Sequence, residues 1–183
     1  MKKKPLITLL SDFGLRDPYV AEMKAIILSI CPNASIVDMS HEVNKYDVRM
    51  GAYILARAAP YFPKGTIHVA VVDPGVGTKR KPLIVTTEHS TYVGPDNGLL
   101  MLSAQKEKVI DVHEITNPKY MLRNVSSTFH GRDVFSPAAA YLAKGIPASN
   151  FGPEINDFCV PSFAQPSILE QLIKGEVIYI DGF

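Results

Sequence analysis

The sequence predicts an α/β protein with a central, mostly parallel sheet flanked by helices. Short apolar runs rich in Ile, Val and Leu recur along the chain, and segments with helical periodicity lie between them. This alternation is typical of parallel strands joined by crossover helices. At 183 residues the chain is long enough for one domain with its own core, or for one domain and part of a second.

Each predicted element follows from its local pattern. Runs of β-branched and other apolar residues predict strands over residues 5–13, 35–40, 66–73, 82–88, 90–98 and 108–115. Wide apolar faces at helical spacing predict helices over residues 17–31, 45–62 and 132–145. A short polar turn at 88–90 is expected to join two strands as a pair, and Gly145 is expected to cap the last helix.

The end of the chain has a different pattern. Residues 150–165 carry prolines and few periodic apolar positions, which predicts a linker. The run EVIYIDGF, residues 176–183, predicts one more strand, and a strand without a partner indicates the beginning of a second unit. We therefore expect an N-terminal α/β catalytic domain over 1–165, and over 166–183 a linker with the first strand of a C-terminal β domain that is otherwise missing.

Composition excludes several classes of partner. Nineteen basic and eighteen acidic side chains give a net charge of +1, which is too balanced for a nucleic-acid surface. No run approaches the ~20 apolar residues of a membrane span, and the apolar run near the N-terminus is too short for a signal peptide. Cys31 and Cys159 stand far apart without metal-ligand spacing, so no metal site is predicted. These observations favour a cytoplasmic protein that binds a small molecule.

Acidic residues follow several of the predicted strands. Asp12, Asp38, Asp73 and Asp96 each stand where a strand ends. Ligands of open α/β sheets bind outside the carboxyl ends of the strands, so parallel strands would gather these side chains at one edge. Each carboxylate is equally open to a structural interpretation as the cap of the following helix.

The stretch VVDPGVGTKRKP, residues 71–82, allows three interpretations. A phosphate-binding loop is disfavoured, because GVGTKR matches neither GxxxxGK[ST] nor GxGxxG. An ordinary glycine turn between strands is the simplest alternative. A third possibility is that the turn folds back and pairs Asp73 with Arg80 beside a ligand, where the guanidinium would keep the carboxylate ionised and oriented. Spacing alone does not show that these two residues meet.

A second polar island, STFHGRD, covers residues 127–133 just before a predicted helix. His130 is either an ordinary loop histidine or a group that titrates near neutral pH and can take a proton from a nucleophile. Asp133 is expected in the first turn of the helix, where the helix dipole favours a structural role.

The ordered set of motifs resembles the S-adenosyl-L-methionine (SAM) hydroxide adenosyltransferase family, which shares its fold with fluorinase and chlorinase. The resemblance spans about Ile7 to Phe183. It rests on SDFG, ICPNASIVDMSHEV, DVRMGAYIL, VVDPGVGTKR, YVGPDNGLL, SSTFHGRDVFSPAAA and IYIDGF.

The resemblance implies hydrolysis of SAM to adenosine and L-methionine, by attack of water or hydroxide on ribose C5′. SAM is then the substrate, and no cofactor is expected. The family's Asp-Arg-His set falls on Asp73, Arg80 and His130. Asp73 is expected to orient the water, Arg80 to hold Asp73 ionised, and His130 to share the network and relay the proton.

The resemblance also implies the substrate contacts. Asp12 is expected on the ribose diol, Asp17 and Tyr19 along the ribose and methionine region, and Tyr46 against the methionine part. Asp181 resembles the carboxylate that meets the methionine ammonium. Gly131 stands where the halogenases have the serine that contacts fluoride. Asp73 stands where they have an apolar or aromatic residue at the end of the third strand, and its negative charge disfavours a halide nucleophile.

Family members continue past IDGF into a β-barrel domain, and their sites lie between subunits of a trimer. The resemblance therefore implies a homotrimer with the site at the subunit interface. Two alternatives remain: a SAM-dependent halogenase of the chlorinase type, and a module that binds SAM or adenosine without turnover.

Overall fold

The computed structural model describes residues 4–163, 166–180 and 182. Within them, a six-stranded sheet consists of β1 Leu6–Ser11, β2 Ser35–Ser40, β3 Ile67–Val71, β4 Pro82–Thr87, β5 Thr91–Pro95 and β6 Val109–Glu114. The order across the sheet is β2-β1-β3-β5-β4-β6. β2, β1, β3 and β5 run parallel, and β4 is antiparallel to both of its neighbours. The predicted α/β class with a mostly parallel sheet is confirmed.

Helices cover both faces of this sheet. They are α1 Tyr19–Ile30, α2 Val48–Ala58, α3 Met101–Ala104 and α4 Ser136–Ala143, with 3-10 turns at Ala59–Tyr61, Gln105–Glu107, Pro118–Tyr120 and Ala148–Asn150. α1 and α4 share one apolar cluster with alternate sheet residues such as Val69, and α2 and α3 share another with Ala70. This alternation is the period of a strand buried on both faces.

Two predicted helices have different boundaries in the structure. The helix predicted from residue 45 begins at Val48, because Tyr46 has a positive φ of 63° and the Asp47 side chain accepts from Met50 N–H as an N-cap. The helix predicted over 132–145 is preceded by a π-helical segment, Gly131–Phe135. Pro137 has no N–H to donate to the Asp133 carbonyl, which accepts from Leu122 N–H at 2.8 Å instead. The short α3 was not predicted.

The C-terminal segment also departs from expectation. Residues 176–180 form no strand; a hairpin of β7 Ser167–Leu169 and β8 Leu172–Lys174 precedes them, and its side chains are exposed. Residues 181 and 183 of the predicted strand lie outside the described residues. Part of the predicted linker runs along β6, where Ile155 N–H donates to the Val112 carbonyl at 2.8 Å. The division into domains at residue 165 stays a prediction.

Asp133 is the structural carboxylate of the π-helical segment. Its side chain is fully buried and accepts from Ser126 N–H at 2.8 Å and from Arg132 Nε at 2.7 Å. Burial alone would raise the pKa of Asp133, but the hydrogen bonds from Arg132 and Ser126 outweigh it and lower this pKa below its ordinary value. The ionised carboxylate therefore stabilises the segment that carries His130.

We expect Asp133→Asn to lower the free energy of unfolding by about 2 kcal/mol at pH 7. Because the pKa of Asp133 is lowered in the folded state, its contribution to the free energy of unfolding is complete above about pH 4 and is lost as the pH falls through the folded-state pKa. Urea unfolding at pH 7 and pH 3 measures the difference, which should shrink in acid. Asp157→Asn, at an exposed carboxylate paired with Lys81, is the control and should change little. Equal stability of wild type and Asp133→Asn at pH 7 would refute the assignment.

Candidate active site

A cleft of about 360 Å³ opens at the carboxyl ends of the neighbouring strands β1 and β3. The residues that line it are Asp12, Phe13, Tyr19, Lys45, Tyr46, Val71, Asp73, Val76, Thr128, Phe129, His130 and Gly131. Its volume suits a small-molecule ligand, and its place at the strand ends is where ligands of open α/β sheets bind. The cleft combines an apolar wall with a few charged groups.

Asp73 and Arg80 meet in the structure. Arg80 donates from Nε to Asp73 Oδ1 at 3.2 Å and from Nη2 to Asp73 Oδ2, a two-point pair whose side chains are 6% and 5% exposed. Arg80 Nη2 also lies 3.1 Å from His130 Nδ1. The three residues thus form one connected network at the floor of the cleft, and the guanidinium orients the carboxylate through both oxygens.

The network determines the protonation of His130. Arg80 can only donate, so His130 Nδ1 is an acceptor and the neutral ring carries its proton on Nε2. Burial and then the Arg80 charge lower the pKa of His130 below 6.5, while the charges of Asp73 and Asp133 and a hydrogen bond to the Ser126 backbone offset part of the effect. His130 is consequently neutral at pH 7, and its Nε2–H is the group that it can offer to a ligand.

The loop between β3 and β4 brings Arg80 back to Asp73. Gly77 has a φ of +75°, and a Cβ at this position would lie 2.2 Å from the Ser127 carbonyl oxygen. Within the loop, Val76 N–H donates to the Asp73 carbonyl and Thr78 N–H to the Gly75 carbonyl. These amides are engaged in the turn rather than open to a phosphate. The glycines therefore form a tight turn packed against the STFHGRD segment.

Asp12 is the second carboxylate of the cleft. Its Oδ2 accepts from Tyr46 N–H at 2.8 Å, and the residue is 5% exposed. That hydrogen bond holds Tyr46 in its left-handed conformation, which an ordinary residue seldom adopts. Asp12 Oδ2 is thus anchored by the protein, while the residue still faces the cleft.

An aromatic wall closes one side of the cleft. The ring centroids of Phe13, Tyr19 and Phe129 lie 5.1 to 6.0 Å from one another in tilted and edge-on arrangements. A Cβ at Gly131 would approach the Phe129 ring to 3.1 Å and the Phe13 ring to 3.3 Å. The absence of a side chain at Gly131 therefore lets the aromatic rings approach the helix.

The structure brings together most of the site residues that the sequence predicted. Asp12, Tyr19, Tyr46, Asp73, His130 and Gly131 line the cleft, and Arg80 bonds to two of them. Asp17 is exposed and outside the lining, and Asp181 lies outside the described residues.

Sequence reasoning missed Phe13, Phe129 and Lys45. The two phenylalanines stand inside SDFG and STFHGRD, so an aromatic residue directly next to a candidate polar residue was the available signal. Lys45 stands next to Tyr46 and lines the cleft, but nothing in its spacing distinguished it from other lysines.

The described part of the chain contains no group of three or more His, Cys, Asp or Glu side chains arranged to hold a metal ion. In the same residues, no helix has the length and apolar character needed to cross a membrane.

The fold and the cleft define an α/β protein with a cleft of small-molecule size at the carboxyl ends of two parallel strands. Residues 7–152 match the family model described as the SAM hydroxide adenosyltransferase N-terminal domain, and the chain belongs to this family.

Named relatives agree with this assignment. The chain is 40% identical over 186 residues to the (R)-S-adenosyl-L-methionine hydrolase of Salinispora arenicola, and the alignment covers 100% of this chain and 71% of that protein. It is 43% identical to the enzyme of the same name from Thermus thermophilus, with 95% and 70% covered. The Actinoplanes fluorinase is 27% identical, with 97% and 68% covered.

A solved structure has the same fold. The crystal structure of an uncharacterized conserved protein from Thermotoga maritima superposes with a TM-score of 0.91 at 39% identity, covering 97% of this chain and 68% of that chain. The chain thus spans about 70% of the length of these relatives.

Proposed function

We propose that this protein hydrolyses SAM to adenosine and L-methionine by attack of water or hydroxide on ribose C5′. The observation that carries the proposal is the buried Asp73–Arg80 pair joined to His130 at the floor of the cleft. It is supported by family membership and by relatives of 38–44% identity named SAM hydrolases.

The sulfonium of SAM is a good leaving group, so the chemistry asks little of a general acid. Water oxygen bonds to C5′, and the electron pair of the C5′–S bond returns to sulfur, which gives the neutral thioether of methionine. The proton that the water releases passes to Asp73 and from there to bulk solvent. The difficult requirement is to hold the water in line with the C5′–S bond. An ionised Asp73, fixed through both oxygens by Arg80, accepts a hydrogen bond from that water and orients it.

Halide is the less suitable nucleophile in this site. A carboxylate at the end of β3 repels an anion, whereas water donates to it. Reaction with SAM in chloride buffer and in chloride-free buffer tests the proposal: adenosine and methionine should form in equal amounts in both. Chlorodeoxyadenosine as the main product would establish a halogenase, and SAM binding without turnover would establish a binding module.

His130 contributes a neutral donor in this proposal. Protonation of Nδ1 would break the bond from Arg80 and place two cations together, so relay of the proton through His130 requires that bond to open. Nε2–H can instead donate to one lone pair of the water or hydroxide and so help to orient it, which leaves another lone pair for the bond to C5′.

We expect the His130 ring to titrate below pH 6.5 in an NMR pH series, with nitrogen shifts of the Nε2–H tautomer. Because the folded-state pKa is lowered, the unfolded chain binds the proton more tightly, and His130 costs folding stability as the pH falls below about 6.5. Replacing Arg80 with Met should move the midpoint upward, since a cation is removed. A wild-type midpoint at or above 6.5 would contradict this protonation state.

Substrate binding is assigned to the remaining residues. Asp12 takes the ribose diol, because a carboxylate accepts from both hydroxyls, and Tyr19 and Tyr46 line the ribose and methionine region. Asp17 stays a proposed contact to the ribose and methionine region and Asp181 to the methionine ammonium, and Gly131 lines the cleft next to His130.

The proposed reaction uses no cofactor, since the sulfonium activates its own carbon. We further propose that the protein is a cytoplasmic homotrimer with the site at the subunit interface. The family resemblance supports this arrangement, and so do the exposed side chains of Tyr19 and Tyr46 at the rim of the cleft. Light scattering of the purified protein measures the trimer.

A further inference from the structure

A chain of polar side chains, buried at its Ser11–His41 end and exposed at its Asp38–Lys24 end, lies next to Asp12. Ser11 Oγ lies 2.7 Å from His41 Nδ1, and both residues are almost fully buried, at 0% and 3% exposure. His41 Nε2 lies 3.1 Å from Asp38 Oδ1, an ion-pair-type contact rather than a well-aligned hydrogen bond, and Lys24 Nζ donates to Asp38 Oδ2 at 2.6 Å. None of these groups lines the cleft.

The Asp38 carboxylate determines which groups donate and which accept along this series of polar side chains. Partial burial would raise the pKa of Asp38, but the hydrogen bond from Lys24 and the close His41 ring outweigh it and lower this pKa, so the carboxylate is ionised at neutral pH. An ionised oxygen beside Nε2 places the ring proton there, which leaves Nδ1 to accept from the Ser11 hydroxyl. Ser11 Oγ in turn accepts from Phe13 N–H at 3.3 Å.

A β-bulge brings His41 into this position. Along β1 and β2 the register is Leu9 opposite Asp38 and then Leu10 opposite Ser40, so one extra residue interrupts β2. An inserted residue reverses which face the following side chains occupy. The next step along the shifted register sets His41 beside Ser11.

His41 thereby holds both ends of the turn 11–14. Its ring bonds to Ser11, and its carbonyl accepts from Gly14 N–H at 2.8 Å. Gly14 has a φ of +71°, a conformation that suits this tight turn. Between the two contacts lies Asp12, whose Oδ2 is bound by Tyr46 N–H.

We infer that His41, acting through Ser11, is a positioning residue that fixes the 11–14 turn so that the Asp12 carboxylate meets the ribose diol of the substrate. This inference rests on the proposed function. A misplaced Asp12 would weaken the binding of nucleosides that have the diol and leave the binding of nucleosides without it unchanged.

The test compares binding of adenosine and 2′,3′-dideoxyadenosine by calorimetry, together with SAM kinetics. His41→Ala should raise the Kd for adenosine about tenfold, equivalent to about 1.4 kcal/mol, and change the Kd for dideoxyadenosine little. KM for SAM should rise while kcat changes little. His41→Asn should restore most of the affinity, because its amide oxygen can accept from Ser11, and Ser11→Ala should reproduce the loss if His41→Ala does not fold.

Thr8 and His68 provide a matched control. Thr8 Oγ1 lies 2.8 Å from His68 Nδ1, and this pair is equally buried in the same sheet but does not line the cleft. Thr8→Val should lower the melting temperature without changing adenosine affinity.

Equal weakening of both nucleosides in the His41 and Ser11 variants, or unchanged adenosine affinity, would overturn the inference alone. If the wild type neither binds adenosine nor releases it from SAM, the proposed function itself fails, and the inference with it.

Discussion

Asp73→Asn is expected to lower kcat for SAM hydrolysis by roughly three orders of magnitude, with a small change in KM. The amide keeps the shape of the side chain but removes the charge that orients the attacking water. The asparagine NH2 group is a donor, and it would face the Arg80 guanidinium, which can only donate, where a carboxylate oxygen now accepts. Steady-state release of adenosine measures the effect.

Asp96→Asn is the matched control for this prediction. Asp96 follows β5 at the same edge of the sheet, accepts from Cys159 N–H at 2.7 Å, and does not line the cleft. We expect near-normal turnover from this variant. Equal adenosine release by wild type and Asp73→Asn would remove Asp73 from the mechanism.

Arg80→Met should both inactivate and destabilise the protein. Removing the guanidinium leaves a carboxylate that is 5% exposed without its ion-pair partner, which costs about 3–5 kcal/mol of unfolding free energy. It also frees His130 Nδ1 and removes the stacking of the guanidinium over Phe135, whose ring centroid lies 5.4 Å away. Denaturant unfolding together with adenosine release measures both effects.

The double variant Asp73→Asn/Arg80→Met separates charge from packing. It contains no uncompensated buried charge, so it should recover much of the stability lost in Arg80→Met while remaining inactive. If the double variant is as unstable as the sum of the two single variants, the buried ion pair does not explain the loss.

The sequence was sufficient for the features that depend on local patterns. Apolar runs with strand and helix periods predicted the six sheet strands and three of the helices within a few residues. The short α3 was missed because four residues carry too little periodicity to be distinguished from a turn. The strand predicted at 176–183 rested on apolar content alone, and residues 176–180 have no strand partner in the structure.

Contacts distant along the chain could not be predicted from spacing. Arg80 reaches Asp73 because β5 lies between β3 and β4, and the connecting loop spans that gap. The bulge that turns His41 toward Ser11 and the left-handed backbone of Tyr46 likewise depend on partners elsewhere in the chain. The family resemblance named Asp73, Arg80 and His130 as one set, but the tautomer of His130 follows only from the geometry.

Hydrolysis of SAM in water enriched in the heavy oxygen isotope tests the central claim most directly, with mass spectrometry of all products. If water attacks ribose C5′, the 5′ oxygen of the released adenosine carries the label and methionine does not. Unlabelled adenosine, label in a methionine-derived alcohol, or chlorodeoxyadenosine as the main product in chloride buffer would contradict the account.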